Sequence, residues 1–455
     1  MKPDHPGDER ESTPTNKAEA DETEAGSVLV QSLQVSNLEP EEHPQHLPSP
    51  RKWTIVAVIS TAATCVTCAS SMAGFAEAGV SRELHVGKTV SILSISLYIL
   101  GLGLGPLLVG PLSEVYGRNV VYRVSYATFF LFNWPVAFAP DIAVHLVFRF
   151  VTGFCGSAFL SVAGGSVSDL FNDRTVANPM ALYTLSPFIG PVLGPLISGF
   201  INQNLDWRWT YRILLIWSFV ELVALVLLVP ETYIPVLLER KAARIRKESV
   251  DSRYWAPSER ASRHIGHAIM INLWNAVVLG ILYLTFQAFP FIFGTIHGFN
   301  TQSSGMSFLG IGVGMIMAIS TQPFWNRFTR QLAEKNNGVL PPEARLVMGE
   351  FGGVLIPIGL FWLAFTSFRG VPWIVPIIAS VPFGAGCYFV FTSTFTYMVT
   401  AYRPIAASAM AANSAMRSTF AAVFPLFARA MYDRLGAVGA TALLAGLTTV
   451  LAPLP

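Results

Sequence analysis

Charge is what this chain most lacks. Only 13% of its 455 residues are Asp, Glu, Lys or Arg, 52% are hydrophobic, and the mean hydropathy is positive. Such a chain is too apolar for an ordinary water-soluble domain and reads as an integral membrane protein. The formal net charge of +2 is spread too unevenly to indicate a partner, and nothing supports a nucleic-acid partner. Cysteine is also sparse: Cys65, Cys68, Cys155 and Cys387 all fall inside apolar runs, where a metal would strand charged thiolates in hydrocarbon. Cys65-x-x-Cys68 is therefore read as helix filling, and no metal site is expected. No Gly-x-x-x-x-Gly-Lys segment occurs, and the glycines at 101, 103, 105, 164 and 165 sit in apolar runs rather than after strands. ATP-driven work within this chain is excluded, no catalytic residues are found, and an enzyme is not expected. No cofactor is expected either; an ion gradient, most simply of protons, is the remaining energy source.

What is present is a succession of apolar runs. Residues 1–50 are rich in Asp, Glu, Pro, Ser and Thr and poor in aromatics, the composition of a disordered tail. No apolar core of a cleavable signal precedes Trp53, so the first membrane helix is expected to act as the targeting signal. From there, runs at 53–74, 90–109, 119–139, 142–164, 179–202, 212–230, 267–292, 304–324, 349–367, 371–397, 405–428 and 435–453 each predict a helix, about twelve spans in all. One long polar interruption, 231–264, separates two sets of six. It is basic, with Arg240, Lys241, Arg244, Arg246, Lys247, Arg253, Arg260 and Arg263. The expected organisation is an all-α membrane protein: tail 1–50, six-helix bundle 51–230, linker 231–265 and second bundle 266–455. Arg118, Arg174, the linker, Arg327, Arg330, Lys335, Arg345 and Arg403 share alternate loops, whereas the opposite loops carry scattered bases such as Arg82, Lys88, Arg208 and Arg369. Tail and linker are thus expected on the cytoplasmic side.

Three stretches carry more than topology. The first, Gly110-Pro-Leu-Ser-Glu114-Val-Tyr-Gly117-Arg118-Asn119, joins two apolar runs by a tight turn, with Gly110 and Gly117 freeing the backbone and Glu114 and Arg118 pinned at the membrane surface. By spacing alone it is equally a plain turn whose charges mark helix ends. The second is Arg149-Phe-Val-Thr-Gly153, which puts an arginine about two turns into a spanning helix. An arginine at such depth costs about 2.5–3.5 kcal/mol unless it faces the protein interior or snorkels. The third, Ser186-Pro-Phe-Ile-Gly190-Pro191-Val-Leu-Gly194-Pro195-Leu-Ile-Ser-Gly199, repeats small residues and prolines every four positions. One helix face is nearly bare there, able to meet a neighbour closely, while the prolines bend the axis.

Together these segments resemble the signatures of the major facilitator superfamily: its loop motif, with Glu114 for the usual Asp and Asn119 for a base; its Arg-x-x-x-Gly pattern; and its antiporter motif, with Ser186 and Ser198 at positions often held by glycine. Asp206-Trp207-Arg208-Trp209, Pro230-Glu231-Thr232-Tyr233, Ile281-Leu282-Tyr283, Ala288-Phe289-Pro290, Pro342-Glu343-Ala344-Arg345 and Arg417-Ser418 are similar to the fungal branch of twelve-spanner drug/proton antiporters. The resemblance implies a two-bundle fold that works by alternating access around a midplane site. It links Arg149 to proton coupling, and Gly190, Pro191, Gly194, Pro195 and Gly199 to export. Two departures stand out: Gln287 replaces a glutamate of many relatives, and the segment before the seventh helix is short.

Helices 1, 4, 7 and 10 should line the cavity on this resemblance. The candidates are Tyr283, Phe286, Gln287 and Phe289 in the seventh helix, and Tyr388, Phe389 and Thr392 in the tenth, with an aromatic-and-amide character that suits a partly apolar organic molecule. At helical spacing the same residues also fit plain core packing. Glu221, an acid within the sixth span, is the candidate proton carrier, with an interfacial position as the alternative. The expectation is a monomeric plasma-membrane exporter that exchanges protons for a small organic compound such as a drug, polyamine or secondary metabolite. A facilitator or importer on the same scaffold, or a non-transporting membrane receptor, are the alternatives.

Overall fold

The computed structural model describes residues 43–172, 175–238, 241, 269–335, 342–401 and 406–452. Most of the expected tail, most of the basic linker, Arg174 and Arg403 lie outside the described residues. The described long helices belong to one compact unit, Pro40–Ile234 with Arg263–Pro455.

In chain order these are α1 (Ser49–Glu83), α2 (Lys88–Tyr116), α3 (Arg118–Ala137), α4 (Ile142–Leu170), α5 (Ala177–Asn204) and α6 (Arg208–Leu228). The second bundle holds α7 (Ile269–Phe289, prolonged by a π-helical turn Pro290–Ile296), α8 (Thr301–Lys335), α9 (Val347–Thr366) and α10 (Ile374–Ala401). The helical stretch Ala406–Leu451 is broken at Gly436, whose φ of 69° is not helical, and so supplies both α11 (406–435) and α12 (437–451). Among the described residues, ten helical stretches are long and apolar enough to cross a membrane, with α11 and α12 counted as one. α3 spans 20 residues but stays out of that group because it is less apolar, carrying Arg118, Asn119, Arg123 and Asn133. Division at Gly436 and the addition of α3 restore the twelve spans that the apolar runs predict.

Local chemistry sets several boundaries. Gly117, at φ 97°, reverses the chain between α2 and α3 in a conformation that L side chains rarely adopt. The Asp141 carboxylate accepts from the Val144 amide at 2.8 Å, and the Asn300 side chain from the Ser303 amide at 2.8 Å, capping α4 and α8. Two helices run well past their apolar cores: α1 continues to Glu83, not 74, and α8 to Lys335, not 324. The bundle exterior is apolar, with Ile216, Phe219, Val220 and Leu227 of α6 and Phe351, Val354, Ile358 and Phe365 of α9 exposed, the surface a helix presents to lipid. Polar groups turn inward: Asn413 of α11 donates to Asn272 at 2.9 Å and accepts from Asn275 at 3.3 Å, both on α7.

Candidate functional site

The two bundles meet around a small cavity. It lies among Thr67 of α1, Leu160 of α4, Phe188 of α5, Tyr283 of α7, and Arg417 and Ser418 of α11, and its volume is about 20 Å³. That is room for about one water molecule. Beside it Ser70 and Tyr283 share a hydrogen bond of 2.7 Å, and the Phe188 and Phe391 rings stack 4.0 Å apart, each pair crossing from one bundle to the other. Gly103 lets α2 approach α11 closely: a Cβ there would stand 2.8 Å from that of Ser418.

Contacts between the bundles lie on both sides of this space. At the end where α2 finishes and α11 begins, the Glu114 carboxylate accepts from the Ser408 amide at 3.2 Å and from its hydroxyl at 3.0 Å. An acid at the start of a helix also meets the positive end of its dipole. At that end, too, Asn326 of α8 donates to Asn178 of α5 at 2.6 Å. At the opposite end, Gly199 of α5 lies against α8, where a Cβ would come 3.2 Å from the Thr301 carbonyl oxygen and 3.4 Å from Gly305 Cα. Gln287 of α7 donates to the Glu77 carboxyl of α1 at 3.0 Å, and Phe75 meets Phe308 edge-on at 6.3 Å.

The α2–α3 turn is more than a helix end. Buried Arg118 donates from Nε to Asp169 at 3.3 Å and from Nη1 to Ser113 at 2.8 Å, and its guanidinium lies 4.4 Å from the Tyr233 ring centre. Glu231 accepts from the amides of Arg118, Asn119, Thr232 and Tyr233 at 2.8–3.3 Å, while Asn119 donates to the Val229 carbonyl. The turn therefore locks α2, α3, α4 and the end of α6 together, and Glu114 beside it reaches the other bundle. Gly110 is buried on α2 and gives its carbonyl to the Ser113 hydroxyl.

Arg149 is fully buried. Its Nε donates to the Ser94 carbonyl of α2 and its Nη2 to the Ala69 carbonyl of α1, both at 3.1 Å, and its guanidinium lies 4.2 Å from the Tyr98 ring centre. It clamps three helices of one bundle through backbone and π-face. On α5, Gly190 and Gly194 face α1: a Cβ at Gly194 would meet the Cys68 oxygen and the Met72 nitrogen at 3.0 Å each. Ser198 then donates to the Met72 carbonyl at 2.7 Å. Buried Pro191 and Pro195 lie on the same helix, and the Pro195 carbonyl faces Gly305. The bare face thus serves two contacts, α1 within the bundle and α8 across it.

The aromatic candidates separate. Tyr283 lines the central cavity; Phe286 packs on Tyr283 and Phe308, and Phe289 on Phe293 and Phe308. Gln287 reaches Glu77 instead. Tyr388 donates to the Ala181 carbonyl at 3.5 Å, Phe389 packs on Trp325 and Phe351, and Thr392 faces a second cleft with Trp325, Asn326 and Thr396. Glu221, 8% exposed, accepts from Thr61 at 3.3 Å and Trp217 at 3.4 Å, between α1 and α6. Two residues were not among the sequence candidates for these roles. Glu77 sits beyond the expected end of the first span, and Arg417 carried only a family resemblance.

The family model that matches residues 59–425 is that of the Major Facilitator Superfamily. The chain belongs to this superfamily. It is 44% identical to the efflux pump atB of Aspergillus terreus over 90% of this chain and 84% of that protein. It is 38% identical to the probable drug/proton antiporter YHK8 of Saccharomyces cerevisiae, over 92% and 85% of the two chains. Among solved structures it resembles the E. coli xylose transporter XylE in a partially occluded inward-open conformation, with TM-score 0.64, 15% identity and coverage of 89% and 96%. It also resembles the human organic anion transporter MFSD10, with TM-score 0.63, 15% identity and coverage of 90% and 99%. These two likenesses concern the fold. The superfamily membership makes the chain a multi-pass membrane transporter and not an enzyme.

Proposed function

We propose that this superfamily transporter is a proton-coupled exporter of small organic compounds that works as a monomer in the plasma membrane, its N-terminus and basic linker in the cytoplasm. The observation that carries the reading is a small central cavity with contacts between the bundles on either side of it, Glu114 with Ser408 on one and Glu77 with Gln287 on the other. Alternating access needs such a pair of separable seals. The export direction is supported by the names of the relatives, an efflux pump and a probable drug/proton antiporter.

Coupling needs an acid whose surroundings change as the bundles move. Glu77 meets that need, because its partner Gln287 belongs to the other bundle and is lost when that end opens. Proton occupancy and bundle arrangement are then thermodynamically linked. Glu221 lies within one bundle, between Thr61 and Trp217, and keeps its neighbours through a rigid-body tilt. Of the two acids Glu77 is the better carrier. In the proposed orientation it lies towards the outer face, where a proton enters an exporter. The test is transport in proteoliposomes of the purified chain with an imposed pH step: substrate should move against its gradient while protons move down theirs. Flux that only equilibrates substrate, and is indifferent to the pH step, would refute proton-coupled export.

A further inference from the structure

Arg417 of α11 is 2% exposed and lines the central cavity between the bundles. Its Nε has no hydrogen-bond partner, and among the described residues no carboxylate stands within ion-pair distance of its guanidinium. Its guanidinium lies 5.1 Å from the Phe395 ring centre, and the neutral phenols of Tyr183 and Tyr283 are near it. The contrast with Arg149 is direct. That residue is equally buried, yet it gives Nε and Nη2 to main-chain carbonyls and so acts as a clamp. Arg417 has no such role, and an isolated buried cation is costly enough that it is normally paired.

The surroundings say what would pair with it. Thr67, Tyr283 and Ser418 bring hydroxyl groups to the same cavity, and Phe188, Leu160 and Leu279 bring an aromatic face and aliphatic surface. A guanidinium matches a carboxylate by two parallel hydrogen bonds. We infer that Arg417 is the substrate's anion-binding residue, and that the transported compounds are amphipathic organic acids with a carboxylate on Arg417 and an aromatic or aliphatic body against Phe188. This rests on the exporter reading for the choice of cavity, and it narrows that reading: polyamines and other cations are rejected by the same charge. The 20 Å³ of the cavity in this arrangement is far below the roughly 300–1,000 Å³ of a drug-sized site. Substrate therefore enters when one seal is open, and the bundles enlarge the pocket as they part.

Equilibrium binding to the purified full-length chain tests this without requiring flux. The probes are matched pairs: 2-naphthoate with 2-naphthamide, and 4-butylbenzoate with 4-butylbenzamide. For at least one pair the acid should bind the wild type about tenfold or more tighter than its amide, the range of a hydrogen bond to a charged group. Arg417→Gln should bring acid and amide to similar affinity, while Arg417→Lys should keep part of the preference. Amides that bind as well as acids in the wild type, no binding of either, or a preference that survives in Arg417→Gln would each overturn the assignment. Should Arg417→Gln fail to give monodisperse protein, the wild-type pairs and Arg417→Lys still decide it. A chain that binds the acids yet shows no pH-driven flux sinks the exporter and spares Arg417; flux of neutral compounds without acid preference does the reverse.

Discussion

Replacement of Gly194 by alanine isolates the close packing of α5 on α1. The added Cβ would stand 3.0 Å from the Cys68 carbonyl oxygen and 3.0 Å from the Met72 nitrogen, and would also strike Ser71 Oγ. A serine hydroxyl can rotate away, but the two main-chain atoms belong to α1 and cannot. The helices must part by a few tenths of an ångström. Three bonds tie them at this face: Ser198 to the Met72 carbonyl at 2.7 Å, Thr64 to the Ser186 carbonyl at 3.2 Å, and Ser71 to the Gly190 carbonyl at 3.4 Å. Overpacking of this kind costs about 1–3 kcal/mol. Alanine also gains helix propensity over glycine, about 1 kcal/mol, which would mask the effect in a single variant. Gly446→Ala removes that ambiguity, because Gly446 lies in α12 with no atom within 4 Å of its added Cβ. The propensity term is common to both variants, so the difference between them reads packing alone. Thermal unfolding in detergent should place Gly194→Ala about 1–3 kcal/mol below Gly446→Ala, and Gly194→Leu should abolish transport. If Gly194→Ala melts at or above Gly446→Ala, the close approach of α5 to α1 is not a constraint.

Arg149→Ala should abolish coupled flux in proteoliposomes while membrane insertion, read by surface labelling, stays near wild type; normal flux would take this arginine out of the mechanism. Glu77→Gln should remove the response of transport to an imposed pH step yet leave substrate exchange at equal pH, whereas Glu221→Gln should keep the response. The opposite pattern would move the proton site to the α1–α6 contact. Glu114→Gln should weaken the seal on Ser408, so that a cysteine placed at Ala411 of α11 reacts faster with a water-soluble maleimide; an unchanged rate would deny Glu114 that part. Gly117→Ala forces a side chain into φ 97° and against Glu231, so folded yield should fall by the equivalent of about 1–3 kcal/mol; a wild-type yield would show that the turn relaxes.

The fold was legible because hydrocarbon leaves the backbone few options: each long apolar run must be a helix, and the twelve runs map onto twelve helices. The α2–α3 turn was also legible, since Gly117, Glu114 and Arg118 sit at the positions that a tight polar connection needs. Which side of each helix faces the cavity was not. A helix that is apolar all round carries no periodic signal of its own rotation, so Phe289 and Phe389 read like Tyr283 although only Tyr283 reaches the central space. Glu77 was hidden for a related reason. It lies three residues past the predicted end of the first span, and the polar letters that close an apolar window say nothing about a helix that continues because it packs on another bundle. Arg417 offered a usable signal, a basic residue deep inside a span, of the kind that singled out Arg149.

The two seals differ in chemistry, and this gives the transport cycle a direction of control. Towards the α2–α3 turn the bundles are held by polar contacts at helix ends: Glu114 on the start of α11, and Asn178 with Asn326. Contacts of this type exchange readily with water when they separate, so this seal opens at modest cost. At the opposite end the bundles meet through Gly199 and Gly305, where backbones touch, and through the Phe75–Phe308 rings, with titratable Glu77 accepting from the Gln287 amide among them. To part them exposes apolar surface and takes away the amide that Glu77 holds. On the proposed reading, a proton arriving at Glu77 acts on this seal, whereas a substrate anion arriving at Arg417 acts in the cavity between the two. If so, Glu77→Gln should shift the wild-type balance between the two open forms, as read by cysteine labelling at either end, whereas Arg417→Gln should leave that balance unchanged in the absence of substrate. A shift of equal size in both variants would show that Glu77 has no separate hold on its seal.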